Sequence, residues 1–432
     1  MYNHLQTWSA TKGKNDGLTQ PLLPTSDTAS APGQTAAPLV KEAPVPTPSK
    51  KPVRLVSLDA FRGFTLCMMV FVNYGGGGYN MLAHTPWNGL TFADLLFPWF
   101  VWMMGVSMAI SLDSSLRRGG NKRAVWRALF VRSCKLFALG LFINNGFDLS
   151  NWRIPGVLQY FGVSGFLVGT VCIYVSSRLV QGVIFTSILG TFFAIERLLP
   201  VNYPGYSCPT GYIGPGGIGS FNKYPECTGG AHRYVDYLLV GFHHMYHRLG
   251  PDGTVLSSAT CSPMYRCAPY DPEGFLGMLS ATVLCYLGYC GGRVLIDADA
   301  VKVKEDLPER FYKVVLPRFV TGGSILCLLA GIMCGFSAND GYIPINKNLW
   351  SVSFIFCTGG LGFLLLSVFY LMVDIKKWWS GKPFFYVGMN SIVVYATSEL
   401  ISPYFPFSFQ HPQVHEIVSQ FFFSFFCVSN VN

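Results

Sequence analysis

Apolar runs of about 20 residues alternate with short polar stretches along most of this chain. A helix needs about that many apolar residues to cross a hydrocarbon core ~30 Å thick. Such runs fall near 55–75, 92–112, 125–145, 156–176, 180–200, 273–292, 314–335, 350–373 and 384–402. A tenth, near 414–428, is rich in Phe but short. The pattern predicts an all-α fold, a polytopic transmembrane helical bundle of about ten helices. Residues 1–53 carry many Pro, Thr, Ala and Ser and no apolar run, so they read as a disordered cytosolic tail without a signal peptide. A transmembrane domain over 54–432 follows, with a long hydrophilic loop at 201–272.

Composition agrees with this division. Of 432 residues, 50% are hydrophobic and only 12% charged, and the mean hydropathy is +0.36, values of the membrane class. Lys and Arg gather in alternate loops: Lys50, Lys51 and Arg54; Arg117, Arg118, Lys122 and Arg123; Arg178; Arg293, Lys302, Lys304 and Arg310; Lys376, Lys377 and Lys382. The opposite loops are nearly bare, with no Lys or Arg in 76–91, only Arg153 in 146–155 and only Lys347 in 336–349. Basic loops stay on the cytosolic side, so the net charge of +9 reports topology, and nucleic acid is not an expected partner. Membrane lipid is. Cys208, Cys227, Cys261 and Cys267 fall in the 201–272 loop, outside the cytosol, where disulfides persist. Up to two bridges are expected, in any of three connectivities. Other cysteines, such as Cys67, Cys134 and Cys172, lie within spans and read as buried apolar thiols.

Three motifs carry less than their spacing suggests. Gly214-Pro-Gly216-Gly-Ile-Gly219 has dinucleotide-loop spacing but no preceding strand, and reads as a turn-rich loop. His243, His244 and His247 place two imidazoles four apart without the accompanying Glu or a clear third ligand, so no metal is expected. Gly75 to Gly78 lack the Lys-Ser/Thr of a phosphate loop and read as an unwound helix end.

Chemistry concentrates between the first two spans. Asn73 ends the first, His84 follows in the loop with Trp87 and Asn88, and Asp94 lies just inside the second. An aspartate at helix depth costs roughly 2.5–3.5 kcal/mol to insert, so Asp94 should face the interior with a partner. Arg153, at the start of the fourth span on the same face, is a candidate donor to Asp94 or a holder of an anionic substrate. Asp59 and Arg62, three apart at the cytosolic edge, read as a neutralising pair. His84 and Asn73 are the catalytic candidates; Asp94, Arg153, Trp87 and Asn88 are candidate substrate contacts.

The stretches Ser57-Leu-Asp-Ala-Phe-Arg-Gly, Phe71-Val-Asn-Tyr-Gly-Gly-Gly, His84-Thr-Pro-Trp-Asn-Gly-Leu-Thr and Leu95-Leu-Phe-Pro-Trp-Phe resemble the lysosomal heparan-α-glucosaminide N-acetyltransferase family. So do Arg153-Ile-Pro-Gly-Val-Leu-Gln, Cys208-Pro-Thr-Gly-Tyr, Tyr270-Asp-Pro-Glu-Gly, Pro344-Ile-Asn-Lys-Asn-Leu-Trp-Ser and Pro383-Phe-Phe-Tyr-Val-Gly-Met-Asn-Ser, in order across 54–410. The resemblance implies a lysosomal multi-pass enzyme that moves acetyl from cytosolic acetyl-CoA to the terminal glucosamine amine of heparan sulfate in the lumen. It carries the family's catalytic histidine onto His84 and its asparagine onto Asn73; a homodimer is among the expected assemblies. The family's sizeable lumenal domain and the span after it have no counterpart here, so the tail is expected to lead straight into the first span.

The donor's phosphates are too charged for hydrocarbon. They are expected at the cytosolic mouth, near Arg127, Arg132 and Lys135 of the third span, while the pantetheine arm reaches toward His84. There an uncharged imidazole would take the amine proton, or would itself carry the acetyl group, and Asn73 would donate to the oxyanion. Burial or Arg153 is expected to keep the imidazole uncharged in an acidic lumen. Two other classes fit the residues: a transferase with another sugar or amine acceptor, and a transporter or scaffold with polar residues at helix breaks.

Overall fold

The computed structural model describes residues 55–145, 149, 152–246, 248–249, 255–257, 268, 270–305 and 308–401. The expected tail, the run near 414–428, Cys261, Cys267 and His247 lie outside them. Most of the described chain is helical: α1 (Val56–Asn73), α2 (Phe92–Arg117), α3 (Lys122–Asn144), α4 (Val157–Tyr174), α5 (Arg178–Leu198), α6 (Ala231–Val240), α7 (Phe275–Glu305), α8 (Pro308–Met333), α9 (Val352–Phe369), α10 (Phe384–Met389) and α11 (Ser391–Ile401). Two small antiparallel hairpins join β1 (Val201–Tyr203) to β2 (Tyr206–Cys208) and β3 (Arg248–Leu249) to β4 (Val255–Ser257).

Among the described residues seven helices are long and apolar enough to cross a membrane: α1, α2, α4, α5, α7, α8, and α9 with its π-helical extension to Ile375. Two expected spans depart from that description. Helix α3 has the length, but Lys122, Arg123, Arg127, Arg132 and Lys135 make it too charged to qualify by composition. The run at 384–402 breaks at Asn390, whose backbone leaves the helical region between α10 and α11.

Helices α2 and α7 form the centre. Between hydrocarbon-coated helices the hydrophobic effect supplies little attraction, and close approach must supply it instead. Gly105 of α2 lies on the Cys285 carbonyl, and Gly288 of α7 lies on the Trp102 carbonyl; a β-carbon at either position would overlap the opposing backbone. Trp102, Met103, Val106, Ala281, Leu284 and Cys285 close that seam without exposure. Of the cysteines expected to be buried thiols, Cys67 and Cys172 are half-buried and Cys134 is exposed, while Cys285 and Cys334 are buried.

Polar contacts collect at the two ends of the bundle. At one end Asp113 binds Arg117 and Arg293, and Arg178 binds Asp297, tying α2, α5 and α7 together. At the other end the loop after α1 meets the loops after α5 and α8. There Cys208 and Cys227 are bridged across 19 residues, a closure that contributes roughly 3 kcal/mol on the chain-entropy account.

Candidate active site

Helix α1 stops at Asn73 because Gly75, Gly76, Gly77 and Gly78 all take positive φ, which glycine alone adopts at little cost. Two short 3-10 turns, Gly76–Gly78 and Asn80–Leu82, then lead to His84. The following residues are clamped from two sides. Trp87 is buried against Tyr270, ring centroids 5.7 Å apart, and donates its indole N–H to the Ile213 carbonyl at 3.0 Å. The Gly89 amide donates to the Ile345 carbonyl at 2.8 Å, while Asn88 accepts from Asn346 and donates to Asn339. Trp87 and Asn88, expected as substrate contacts, are thus engaged in holding the loop.

Asp94 is fully buried at the first turn of α2. Its Oδ2 accepts from the backbone N–H and hydroxyl of Thr91 at 3.2 and 2.9 Å, and from the same two groups of Thr85 at 3.2 and 2.9 Å. The Thr91 contacts belong to a capping box, the device by which a helix start satisfies its own free N–H groups. Oδ1 is left for His84, whose Nδ1 lies 2.8 Å away. A carboxylate held by so many donors stays ionised and can only accept. Nδ1 therefore carries the hydrogen and Nε2 presents a lone pair. The His84 side chain is 48% exposed, so that lone pair can be reached from outside. A third group completes the cluster: Lys347 Nζ lies 3.0 Å from Nδ1, 3.4 Å from Nε2 and 3.6 Å from Asp94 Oδ1.

Arg153 is not part of this cluster, contrary to the sequence expectation. Its guanidinium is given to Asp271 at 2.9 and 2.6 Å and to Glu273, and lies 4.4 Å over the Tyr246 ring. Burial opposes the guanidinium charge, but the two carboxylates outweigh it and hold Arg153 above its ordinary range. The Tyr270-Asp-Pro-Glu-Gly stretch brings both acids to the start of α7, where a buried cation needs them. Asn73 is exposed and donates its amide to Glu399 of α11 at 3.1 Å. Among the described residues no hydrogen bond joins it to His84. His244 donates its Nδ1–H to the Trp152 carbonyl at 2.7 Å, and no group of three His, Cys, Asp or Glu among the described residues is placed to hold a metal.

A cavity of about 1210 Å³ runs between α1, α2, α3, α4 and α11. Asp59, Arg62, Arg118 and Arg132 line it, as do Met69, Val157 and Tyr395. Arg62 binds Asp59 at 3.5 Å and also the Ser107 hydroxyl. Arg127, Arg132 and Lys135 line an adjoining groove of about 690 Å³ that shares Ala124, Ala128, Arg132, Leu136 and Ile392 with the cavity. On α11, Tyr395 stands one turn before Glu399, so the cavity wall continues to the carboxylate that holds Asn73.

Sequence reasoning singled out His84, Asn73 and Asp94 but did not assign Lys347, Glu399, Thr85 or Thr91 to the site. The Thr91-x-x-Asp94 spacing was a readable capping signal. Lys347 was visible only as the one basic residue of its loop.

Comparison with known proteins gives concordant results. Residues 54–205 match the family described as "Heparan-alpha-glucosaminide N-acetyltransferase, catalytic". The chain is 41% identical over 383 residues to the mouse protein named heparan-alpha-glucosaminide N-acetyltransferase, and 41% identical over 388 residues to the human protein of that name. These alignments cover 83% and 84% of the chain and 55% of each relative. The chain therefore spans about half the length of the curated relatives it matches.

Proposed function

Since the chain belongs, over the region matched, to the heparan-α-glucosaminide N-acetyltransferase family, we propose that it is a transmembrane acetyltransferase of the lysosomal membrane. It takes acetyl from acetyl-CoA on the cytosolic face and delivers it to the terminal glucosamine amine of heparan sulfate on the lumenal face. The tail and the basic loops are cytosolic, and the end of the bundle carrying His84 and the Cys208–Cys227 bridge is lumenal.

The observation that carries this reading is the His84–Asp94 pair, in which Nδ1 is bound at 2.8 Å and Nε2 is left as the nitrogen that takes a proton. As the glucosamine nitrogen attacks the thioester carbon, a C–N bond forms and Nε2 accepts the amine proton. The tetrahedral intermediate then collapses with loss of the C–S bond, and the imidazolium returns a proton to the CoA thiolate. Asn73 has a second amide hydrogen beyond the one given to Glu399, and that hydrogen is available to the oxyanion. The large cavity supports a path for the pantetheine arm between α1, α2, α3 and α4. The groove lined by Arg127, Arg132 and Lys135 supports a seat for the CoA phosphates.

The test is acetyl transfer by purified protein from labelled acetyl-CoA to a glucosamine acceptor. His84→Ala should lower turnover roughly 10²- to 10⁴-fold, the usual weight of a general base. Turnover close to that of the unaltered chain would remove His84 from the chemistry.

A further inference from the structure

We propose that Lys347 is a positioning residue that keeps the His84 imidazole uncharged by opposing the pull of Asp94. The inference deepens the acetyl-transfer reading and rests on it for the meaning of an uncharged His84. Among the described residues, the ionisable groups within hydrogen-bond or ion-pair reach of His84 are Asp94, from α2, and Lys347, from the loop between α8 and α9.

Lys347 is not a loose surface lysine. Its side chain is 17% exposed, and its neighbours on both sides are fastened. Asn346 is buried, takes the Leu349 amide at 3.0 Å on its side chain and gives its own amide to the Ser351 hydroxyl at 3.1 Å. The Asn348 carbonyl accepts from the Tyr270 hydroxyl, and Leu349 and Trp350 are buried. The backbone therefore presents the ammonium group to His84 as part of the fold.

The two charges act on the imidazole in opposite senses. Asp94 alone favours imidazolium, since a nearby anion stabilises the cationic form. An imidazolium has no lone pair and accepts no proton. With Lys347 present, the three side chains sum to zero charge when His84 is neutral and to +1 when it is protonated. The ammonium lies 3.0 Å from Nδ1 and 3.4 Å from Nε2, close enough to both ring nitrogens for its charge to oppose a cationic ring. Asp94 thus fixes the tautomer while Lys347 fixes the charge. Neither burial nor Arg153, expected from the sequence to do the second, is placed to do so: the ring is half exposed and Arg153 is occupied elsewhere.

The experiment compares the full chain with Lys347→Met, Lys347→Gln and Lys347→Arg. The pH dependence of kcat/KM for glucosamine acetylation gives one readout. The second, which needs no acceptor, is the pH dependence of His84 acylation by diethyl pyrocarbonate, a reagent of the neutral ring, followed by mass spectrometry. Removing the charge should move the acid limb of both profiles upward by about 1–2 pH units, and Lys347→Arg should restore the original position. Lys347→Gln keeps a polar, uncharged end should the Met variant not fold. Profiles of the Met and Gln variants that coincide with the unaltered chain would overturn the inference while leaving His84 as base. Normal turnover of His84→Ala overturns instead the reading beneath it, and the acylation profile then still reports whether Lys347 sets the charge on the ring.

Discussion

One carboxylate governs what His84 can do. Four donors from Thr85 and Thr91 occupy Asp94 Oδ2, so only Oδ1 remains for the imidazole. Asp94→Asn keeps the shape but can turn an N–H toward Nδ1, which then accepts and leaves the hydrogen on Nε2. The nitrogen facing the acceptor would be blocked. Turnover should drop on the order of 10²-fold or more, with acetyl-CoA affinity little changed; retained turnover in a steady-state assay would contradict the tautomer assignment. Asp94 and His84 could be picked out from the chain because they are ten residues apart and flank a helix start. Lys347 could not, since 263 residues separate it from His84 and a lone Lys in a loop has no local signature.

At the scale of helices, α2 and α7 show what apolar length alone leaves open. Both read as spans, yet which helices touch depends on where glycine allows backbones to meet. Gly288→Leu must push α7 off the Trp102 carbonyl, an overpacking that costs roughly 1–3 kcal/mol or more. Gly182→Leu on α5, where nothing lies within 4 Å, should leave stability unchanged. Thermal unfolding in one detergent distinguishes the two; equal midpoints would refute the seam. Helix α3 shows the converse. Its length was legible, but its five basic residues made its apolar window fail, and three of them line the groove beside the cavity.

For the whole molecule, the end of the bundle that carries His84 also holds a buried acid whose titration couples to folding. Asp236 of α6 accepts from the Phe275 amide at 2.8 Å, and its other oxygen finds no partner among the described residues. Burial, with the nearby Asp271 charge adding to it, pushes its carboxyl well above the usual range. Folding then takes up a proton that the unfolded chain, titrating near ~3.9, has already released. The associated stability is complete below about pH 3.9 and is lost as pH rises through the folded titration point, with a slope of up to about 1.4 kcal/mol per pH unit. Unfolding midpoints should therefore fall from acid toward alkaline pH, and Asp236→Asn, which keeps the acceptor for Phe275, should flatten the trend. An unaltered slope in that variant would exclude Asp236 as its source.

Helical class, the position of most spans, the two polar ends and the His84–Asp94 neighbourhood followed from the chain alone, because apolar length, basic-residue placement and a helix cap are local properties. The break at Asn390, the turning of Arg153 toward Asp271 and Glu273, the hold of Glu399 on Asn73 and the arrival of Lys347 at His84 were decided by tertiary structure. Charges inside a helical bundle select partners by distance in space, and sequence separation carries almost no information about which carboxylate will be nearest to a given cation.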